Sequence, residues 1–395
     1  MSSIPLISTG LICATGKSAA AAFDTILSGR ETLQPLTLFD HRLKQPPLCG
    51  QITDDINQLN DFYAPNRTTA LAAFACLQAL TNIQPAKKLK FGLIVGTTIG
   101  GITESERFYE RQRTDESVLT RASAVLAHHE PVALTGFLAQ LIKEKCSISV
   151  SGFHTLSTAC SSSLHCIGLA KRAIERNVFD LCLAVGADAL SLLTIRGFSS
   201  LLLIDPTGCK PFDARRAGIS MGEGAAAMLL GTPSVVKDLG LKPLAHVAGW
   251  GASADAHHMT APHPQGAGAV AAIASALRDA ALPALAISAV ATHGTATPDN
   301  DAAEINALKS ALGTLPPFFS VKRSTGHTLA ASGIIESILA IQALASGTIP
   351  PTKGFEQIDP AIGAAPAPHG QQELSAILKT SFGFGGNNAA MVFTK

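Results

Sequence analysis

Short apolar runs alternate along this chain with longer stretches whose apolar positions recur at helical spacing. Ile4–Ser8 opens as a strand, and the Ala-rich stretch Ser18–Ser28 follows as a helix that stops near Gly29. Thr68–Thr81 repeats apolar side chains along one helical face. Phe91–Val95 is a continuous apolar run, the pattern of a strand covered on both faces, and it ends in the small-residue loop Gly96–Gly101. Glu104–Arg121 is polar and charged, which suits an exposed helix or a partner-facing segment. Val132–Lys143 and Ser161–Arg176 are helical, Leu181–Val185 is another buried strand, and Gly224–Leu230 continues the sheet. A second series begins with strand Leu244–Trp250, helix Ala269–Ala281 and strand Ala286–Ala291. Helix Pro298–Leu312, strand Phe318–Val321 and helix Gly326–Ala345 follow, and strands Leu374–Thr380 and Ala389–Phe393 close it. Such alternation predicts an α/β fold with largely parallel sheets covered by helices. Two series predict two similar halves, 1–240 and 241–395, although no sequence repeat between them is obvious.

Composition narrows the class. The chain has 395 residues, 47% hydrophobic and only 15% charged, with a net charge of +1. That argues against a general nucleic-acid binder and leaves room for a local basic patch facing an acidic protein. Eight cysteines form no CxxC pair and several lie in apolar runs, as reduced thiols in a reducing compartment do. The start, Met1 to Ile7, lacks a basic leader region, and no apolar segment looks long and uninterrupted enough to span a bilayer. A cytoplasmic protein without membrane insertion is expected.

Four stretches carry candidate chemistry. Leu156-Ser-Thr-Ala-Cys160-Ser-Ser-Ser places a cysteine where a loop of small residues becomes a helix. Backbone N–H groups and the positive end of the helix dipole there favour a thiolate. Thr292-His293-Gly-Thr295-Ala-Thr297 follows a strand, with Asp301 and Glu304 shortly after. Lys322-Arg-Ser-Thr-Gly-His327 follows another, where a helix dipole disfavours a charged imidazole, and Asp301 and Glu304 are available as ion partners for Lys322. Finally, Phe382-Gly-Phe384-Gly-Gly brings backbone N–H groups close to a ligand, as an oxyanion hole requires.

Taken in order, these stretches resemble the elongating β-ketoacyl-acyl-carrier-protein synthases, the type II ketosynthases of the thiolase superfamily. The resemblance also rests on Lys210-Pro-Phe-Asp213, Gly222-Glu-Gly224 and Asp255-Ala-His-His258-Met-Thr-Ala-Pro262, and it spans most of the chain. It implies a thiolase-like five-layer αβαβα fold and a dimer, either homodimeric or paired with a related chain-length-factor subunit. It further implies an acyltransferase that extends a fatty acid or polyketide chain by two carbons. Cys160 becomes the nucleophile, His293 and His327 the histidine pair, and Lys322 the fourth catalytic residue, in an ion network with Asp301 and Glu304 and with Glu336 close to it. Cys160 and Phe384 supply the oxyanion N–H groups, and Phe384 also gates the cysteine. Thr295 and Thr297 contact the pantetheine arm of an acyl carrier protein, and Ile99 lines the acyl pocket. No metal or redox cofactor is implied. Arg323, Asn300, Ala330, Ser332 and Asn387 depart from the usual family pattern, and the chain resembles the discrete ketosynthases of bacterial polyene or aryl-polyene pathways.

Rival readings are weaker. A chain-initiating synthase would use Cys-His-Asn, a degradative thiolase a second catalytic cysteine, and a non-catalytic chain-length factor would lack Cys160. A zinc site at His257, His258 and His263 lacks a cysteine pair.

Overall fold

Ten strands carry the frame among the described residues. The computed structural model describes residues 3–395 apart from 61, 85–87, 116, 118, 119 and 121 and the side chains of 57 and 124. The first five strands are β1 (Ile4–Cys13), β2 (Phe91–Gly96), β3 (Val150–Leu156), β4 (Leu181–Asp188) and β5 (Gly224–Gly231). The second five are β6 (Ala245–Ala254), β7 (Ala289–Ala291), β8 (Phe318–Phe319), β9 (Ala376–Gly383) and β10 (Asn387–Thr394). Their spatial order is β3-β2-β4-β5-β1, continuing through a β1–β6 pairing into β6-β10-β9-β7-β8. Each set has the same order by position in the chain, third-second-fourth-fifth-first. Each also has the same directions: the third, second and fourth strands run parallel, and the fifth and first pair antiparallel. The duplication therefore shows in topology where the sequence hides it. The sheet is more mixed than the expected, largely parallel one.

Eight helices matter for the argument: α1 (Arg67–Ala79), α2 (Ile102–Gln112), α3 (Pro131–Cys146), α4 (Ser162–Glu175), α5 (Leu192–Ser200), α6 (Ala267–Ala280), α7 (Pro298–Leu312) and α8 (Ser332–Ser346). Helices α1 and α3 pack on the first set of strands, and α6, backed by α7, packs on the second. Between them α4 and α8 touch strands of both sets, which gives the layering αβαβα. Three apolar clusters match these layers. One gathers Leu71, Val95 and Leu138 on one outer face, and another gathers Ile273, Val290 and Leu308 on the other. The third lies between the sheets around Leu164, Ile167, Ile334 and Ile338. Each fully buried aliphatic side chain in these layers contributes about 1.5–3 kcal/mol.

Several elements depart from the sequence expectation. Strand β3 has no counterpart there, because an edge strand with exposed positions carries no continuous apolar run. The helix expected over Gly326–Ala345 starts only at Ser332. Residues 326–328 are held instead beside 220–222, with the His327 N–H donating to Ser220 O at 2.7 Å and the Gly222 N–H to His327 O at 3.0 Å. Helix α2 ends at Gln112, and part of the remaining stretch to Arg121 lies outside the described residues. Leu329–Ser346 does reach membrane-spanning length and hydropathy, contrary to expectation, but 83% of it is buried. A helix apolar on every side is what a central layer requires.

Candidate active site

Cys160 lies between β3 and α4, in a turn built by its own neighbours. Ser161 Oγ donates to Thr158 O at 2.8 Å, Ser162 Oγ to Ala159 O at 2.6 Å, and the Thr158 N–H to Ser162 Oγ at 2.9 Å. Ala159 takes a φ of 51°, a left-handed conformation that a small residue tolerates best. The first two serines after the cysteine thus tie the turn. The glycine-rich tail then closes over it: a Cβ at Gly383 would sit 2.7 Å from Thr158 O and 3.3 Å from Cys160 N. Ser381 Oγ donates to Cys160 O at 3.0 Å.

The thiol itself is buried, and burial pushes it up to about 12. Asp188 adds to the rise, while Lys322 and the backbone N–H groups of Phe384 and Cys160 oppose it. Burial therefore opposes the thiolate that the sequence led one to expect at a helix start, and helix α4 begins only two residues further on, at Ser162.

His327 faces the cysteine, with Nε2 3.0 Å from Cys160 Sγ. His293 meets His327 edge to face, their ring centroids 5.4 Å apart. Burial holds both imidazoles well below their ordinary range, reinforced by Lys322 and Lys379. Both are neutral, as the sequence led one to expect for His327, but desolvation is the leading cause and not a helix dipole. Lys322 Nζ stands 3.5 Å from His293 Nδ1. An ammonium has no lone pair to offer, so Nδ1 faces it as an acceptor and the His293 proton sits on Nε2.

The ion network differs from the expected one. Lys322 pairs with Glu336, whose other oxygen lies 2.7 Å from Lys379 Nζ. Asp301 and Glu304 do not pair with Lys322. Glu304 accepts the N–H groups of His293 and Gly294, both at 2.8 Å, and the Thr380 hydroxyl at 2.6 Å. Asp301 accepts the N–H groups of Phe212 at 2.7 Å and Ala296 at 3.1 Å. Both sit on α7, Asp301 in its first turn and Glu304 in its second, and both carboxylates accept N–H groups of the loop before it, Asp301 reaching Phe212 as well. They are staples of the His293 loop. Burial raises both, Asp301 to about 6.

A cavity opens onto this cluster. Cys160, His293, His327, Thr295, Thr297 and Phe384 all line it. Thr295 and Thr297 bring their hydroxyls to 3.1 Å of one another. Phe384 stacks on Phe198 of α5 at 5.5 Å. Ile99 does not line this cavity; it is buried in the outer cluster of the first half, its N–H held by Asp188 at 3.1 Å. The donor atoms of Cys160, His293 and His327 lie within 4.8 Å of one another, close enough for a metal ion, but the Lys322 ammonium beside His293 disfavours a cation. Among the described residues His257, His258 and His263 form no such group.

Two participants escaped sequence reasoning. Asp188, at the end of β4, takes hydrogen bonds from Thr97 Oγ1 at 2.7 Å and from the N–H groups of Thr98, Ile99 and Ala330, so it pins two loops beside the cysteine. Lys379 is a lysine inside the apolar strand β9, and that mismatch was the available signal.

Comparisons with known proteins agree with this geometry. Residues 2–234 match the family described as beta-ketoacyl synthase, N-terminal domain, and residues 244–356 the corresponding C-terminal domain. The chain is 29% identical to 3-oxoacyl-[acyl-carrier-protein] synthase 2 of Synechocystis sp., covering 98% of this chain and 96% of that one. It is 30% identical to the putative polyketide beta-ketoacyl synthase 1 of Streptomyces halstedii, with the same coverage of 98% and 96%. Among solved structures, a chain of the ketosynthase ApeO in complex with its chain length factor ApeC from Xenorhabdus doucetiae superimposes with a TM-score of 0.84 at 28% identity, covering 99% of this chain and 98% of that one. With its five layers, its duplicated topology and a cysteine beside a pair of buried histidines, the chain belongs to the β-ketoacyl synthases of the thiolase superfamily, the condensing acyltransferases of fatty-acid and polyketide synthesis.

Proposed function

We propose that Cys160 accepts an acyl chain from the phosphopantetheine of an acyl carrier protein and that His293 and His327 drive its condensation with a malonyl thioester. The observation that carries this reading is the contact of Cys160 Sγ with His327 Nε2 at 3.0 Å, with the His293 ring edge to face against His327. In the first half-reaction Sγ attacks the thioester carbonyl. The S–C bond to the carrier breaks, and the thiol proton leaves with the departing pantetheine sulfur. The N–H groups of Cys160 and Phe384 hold the oxyanion formed on the way.

In the second half-reaction malonyl thioester enters and loses CO₂. The electron pair of the breaking C–C bond becomes an enolate, whose oxygen accepts hydrogen bonds from the two imidazoles. Neutral rings donate without handing over a proton prematurely. The enolate carbon attacks the acyl-cysteine carbonyl and expels the Cys160 thiolate, which takes up one proton from solvent to restore the thiol. The product is a β-keto thioester two carbons longer. No metal or redox cofactor enters these steps. Thr295 and Thr297 contact the pantetheine arm along the cavity wall, and Phe384, stacked on Phe198, gates it.

For assembly the reading is a cytoplasmic dimer. Edge strand β3 offers unpaired backbone groups and a 47% exposed Phe153, as an unfinished sheet does. The likeness to the ApeO–ApeC complex, together with Arg323 and Asn387 at positions where the family usually differs, supports a cysteine-less chain-length factor as partner and a polyene-type product. A catalytically silent role for this chain itself is disfavoured by Cys160.

Mass spectrometry after incubation with acyl- and malonyl-carrier protein tests the chemistry. An acyl adduct on Cys160 and a product extended by two carbons are expected. Condensation retained by Cys160→Ala would overturn the assignment. His293→Ala and His327→Ala should abolish malonyl decarboxylation more severely than acylation of Cys160, and equal loss of both steps would contradict their roles.

A further inference from the structure

Lys379 is fully buried on β9, yet nothing in the two half-reactions uses it. Its ammonium donates hydrogen bonds to Thr292 O at 3.2 Å and Thr380 O at 2.5 Å, and it forms an ion pair with Glu336, whose Oε2 lies 2.7 Å away. A carboxylate and two carbonyl oxygens around a buried amine support its charged form. Burial holds its proton affinity below the ordinary lysine value, with Lys322 adding to the fall, and Glu336 is the main influence opposing it.

Each of the three acceptors bears on the active site. Glu336 projects from α8 and divides its oxygens, one to Lys322 and one to Lys379. Thr292 is the residue before His293, and its hydroxyl donates to Phe319 O at 2.8 Å. Thr380 donates to Glu304, which in turn accepts the His293 N–H. Strand register supports the reach, since Lys379 pairs with Ala291 on β7. One ammonium therefore joins β9, α8 and the loop that presents His293.

The geometry points to Lys379 as a second positioning cation of this ketosynthase, clamping Glu336 so that Lys322 faces His293 Nδ1 and keeping the imidazole pair uncharged. It touches no reacting atom and acts through Lys322, Glu336 and His293. The charged and titratable groups facing the pair are Lys322, Lys379, Glu336, Glu304 and Cys160, with Asp188 behind the cysteine. Two cations share the single carboxylate of Glu336, so positive charge opposes protonation of either ring. Removing one of them raises the imidazole pKa values, and the neutral pair is then lost at a higher pH.

This proposal rests on the histidine pair performing decarboxylation, so the test carries His293→Ala as a control. Malonyl-carrier-protein decarboxylation is followed against pH for the parent, Lys379→Met, Lys379→Gln and Lys379→Arg, with Cys160 acylation measured in parallel. Gln keeps donors for Glu336 and Thr292 without the charge, and Met removes both. The acid limb should move to higher pH in both neutral variants. Lys379→Met should also decarboxylate about tenfold or more slowly, as loss of a supporting shell does. Lys379→Arg should return the limb towards the parent position, and acylation should change less than decarboxylation. If either neutral variant folds and keeps the parental limb while His293→Ala is inactive, the role of Lys379 is refuted and that of the histidines stands. If His293→Ala decarboxylates normally, the reading beneath it fails. Should Lys379→Met not fold, Lys379→Gln decides alone; if neither neutral variant folds, Lys379 serves the fold and the proposal is rejected.

Discussion

Cys160 shows how burial and chemistry compete at a single residue. A thiol pushed up to about 12 is inert towards small electrophiles until substrate or a base changes its surroundings. Alkylation of the free enzyme by iodoacetamide should therefore be slow at neutral pH and climb steadily with pH, with no plateau below about pH 10. A rate already at its plateau at pH 7 would mean that the thiolate exists before substrate arrives. The histidines follow the same logic with the opposite sign. Desolvation disfavours their charged form, so what buries the cysteine as a thiol also keeps the rings available as neutral donors.

At the scale of elements, the site depends on two turns approaching more closely than a side chain allows. The tail after β9 lies against the turn before α4, and only the missing Cβ of Gly383 lets it do so. Its φ of −106° is open to any residue, so space and not backbone conformation makes the demand. Gly383→Ala should separate the Phe384 and Cys160 N–H groups. Cys160 acylation should then fall by about a hundredfold, the scale of losing one oxyanion donor, with a stability loss of about 1–3 kcal/mol from overpacking. Single-turnover acylation and thermal melting measure the two effects; unchanged acylation would show that the turns can part without harm. Helices contribute in a different way. α7 aims two carboxylates at the loop before it, and α8 delivers Glu336 from the central layer.

For the whole molecule, duplication brings the chemistry together. Cys160 comes from the first five-strand set, and His293 and His327 come from the second. They meet because α4 and α8 share the layer between the sheets. The edge left at β3 carries the prediction on assembly. If the proposed dimer forms through this edge, Phe153→Lys should leave the chain monomeric by placing a charge on an unpaired edge. Sedimentation of the purified chain, and its capture with a cysteine-less related subunit, should both report the loss; an unchanged dimer would put the interface elsewhere.

The sequence by itself determined the alternation of strands and helices, the residues of the reacting cluster and the family they belong to. These are written locally, as periodicity and as small-residue turns after strands. Tertiary structure decided what each charge does. Asp301 and Glu304 were legible as acidic residues near His293, but only the fold turned them to its backbone and away from Lys322. Ile99 was legible as apolar, and packing buries it next to Asp188, to which its N–H donates. Lys379 and Asp188 were visible as charges in or ending apolar strands, but their partners lie dozens to more than a hundred residues away in sequence. Periodicity is a property of neighbours in the chain. Desolvation and ion pairing are properties of neighbours in space, and in this protein they set the protonation states on which the chemistry depends.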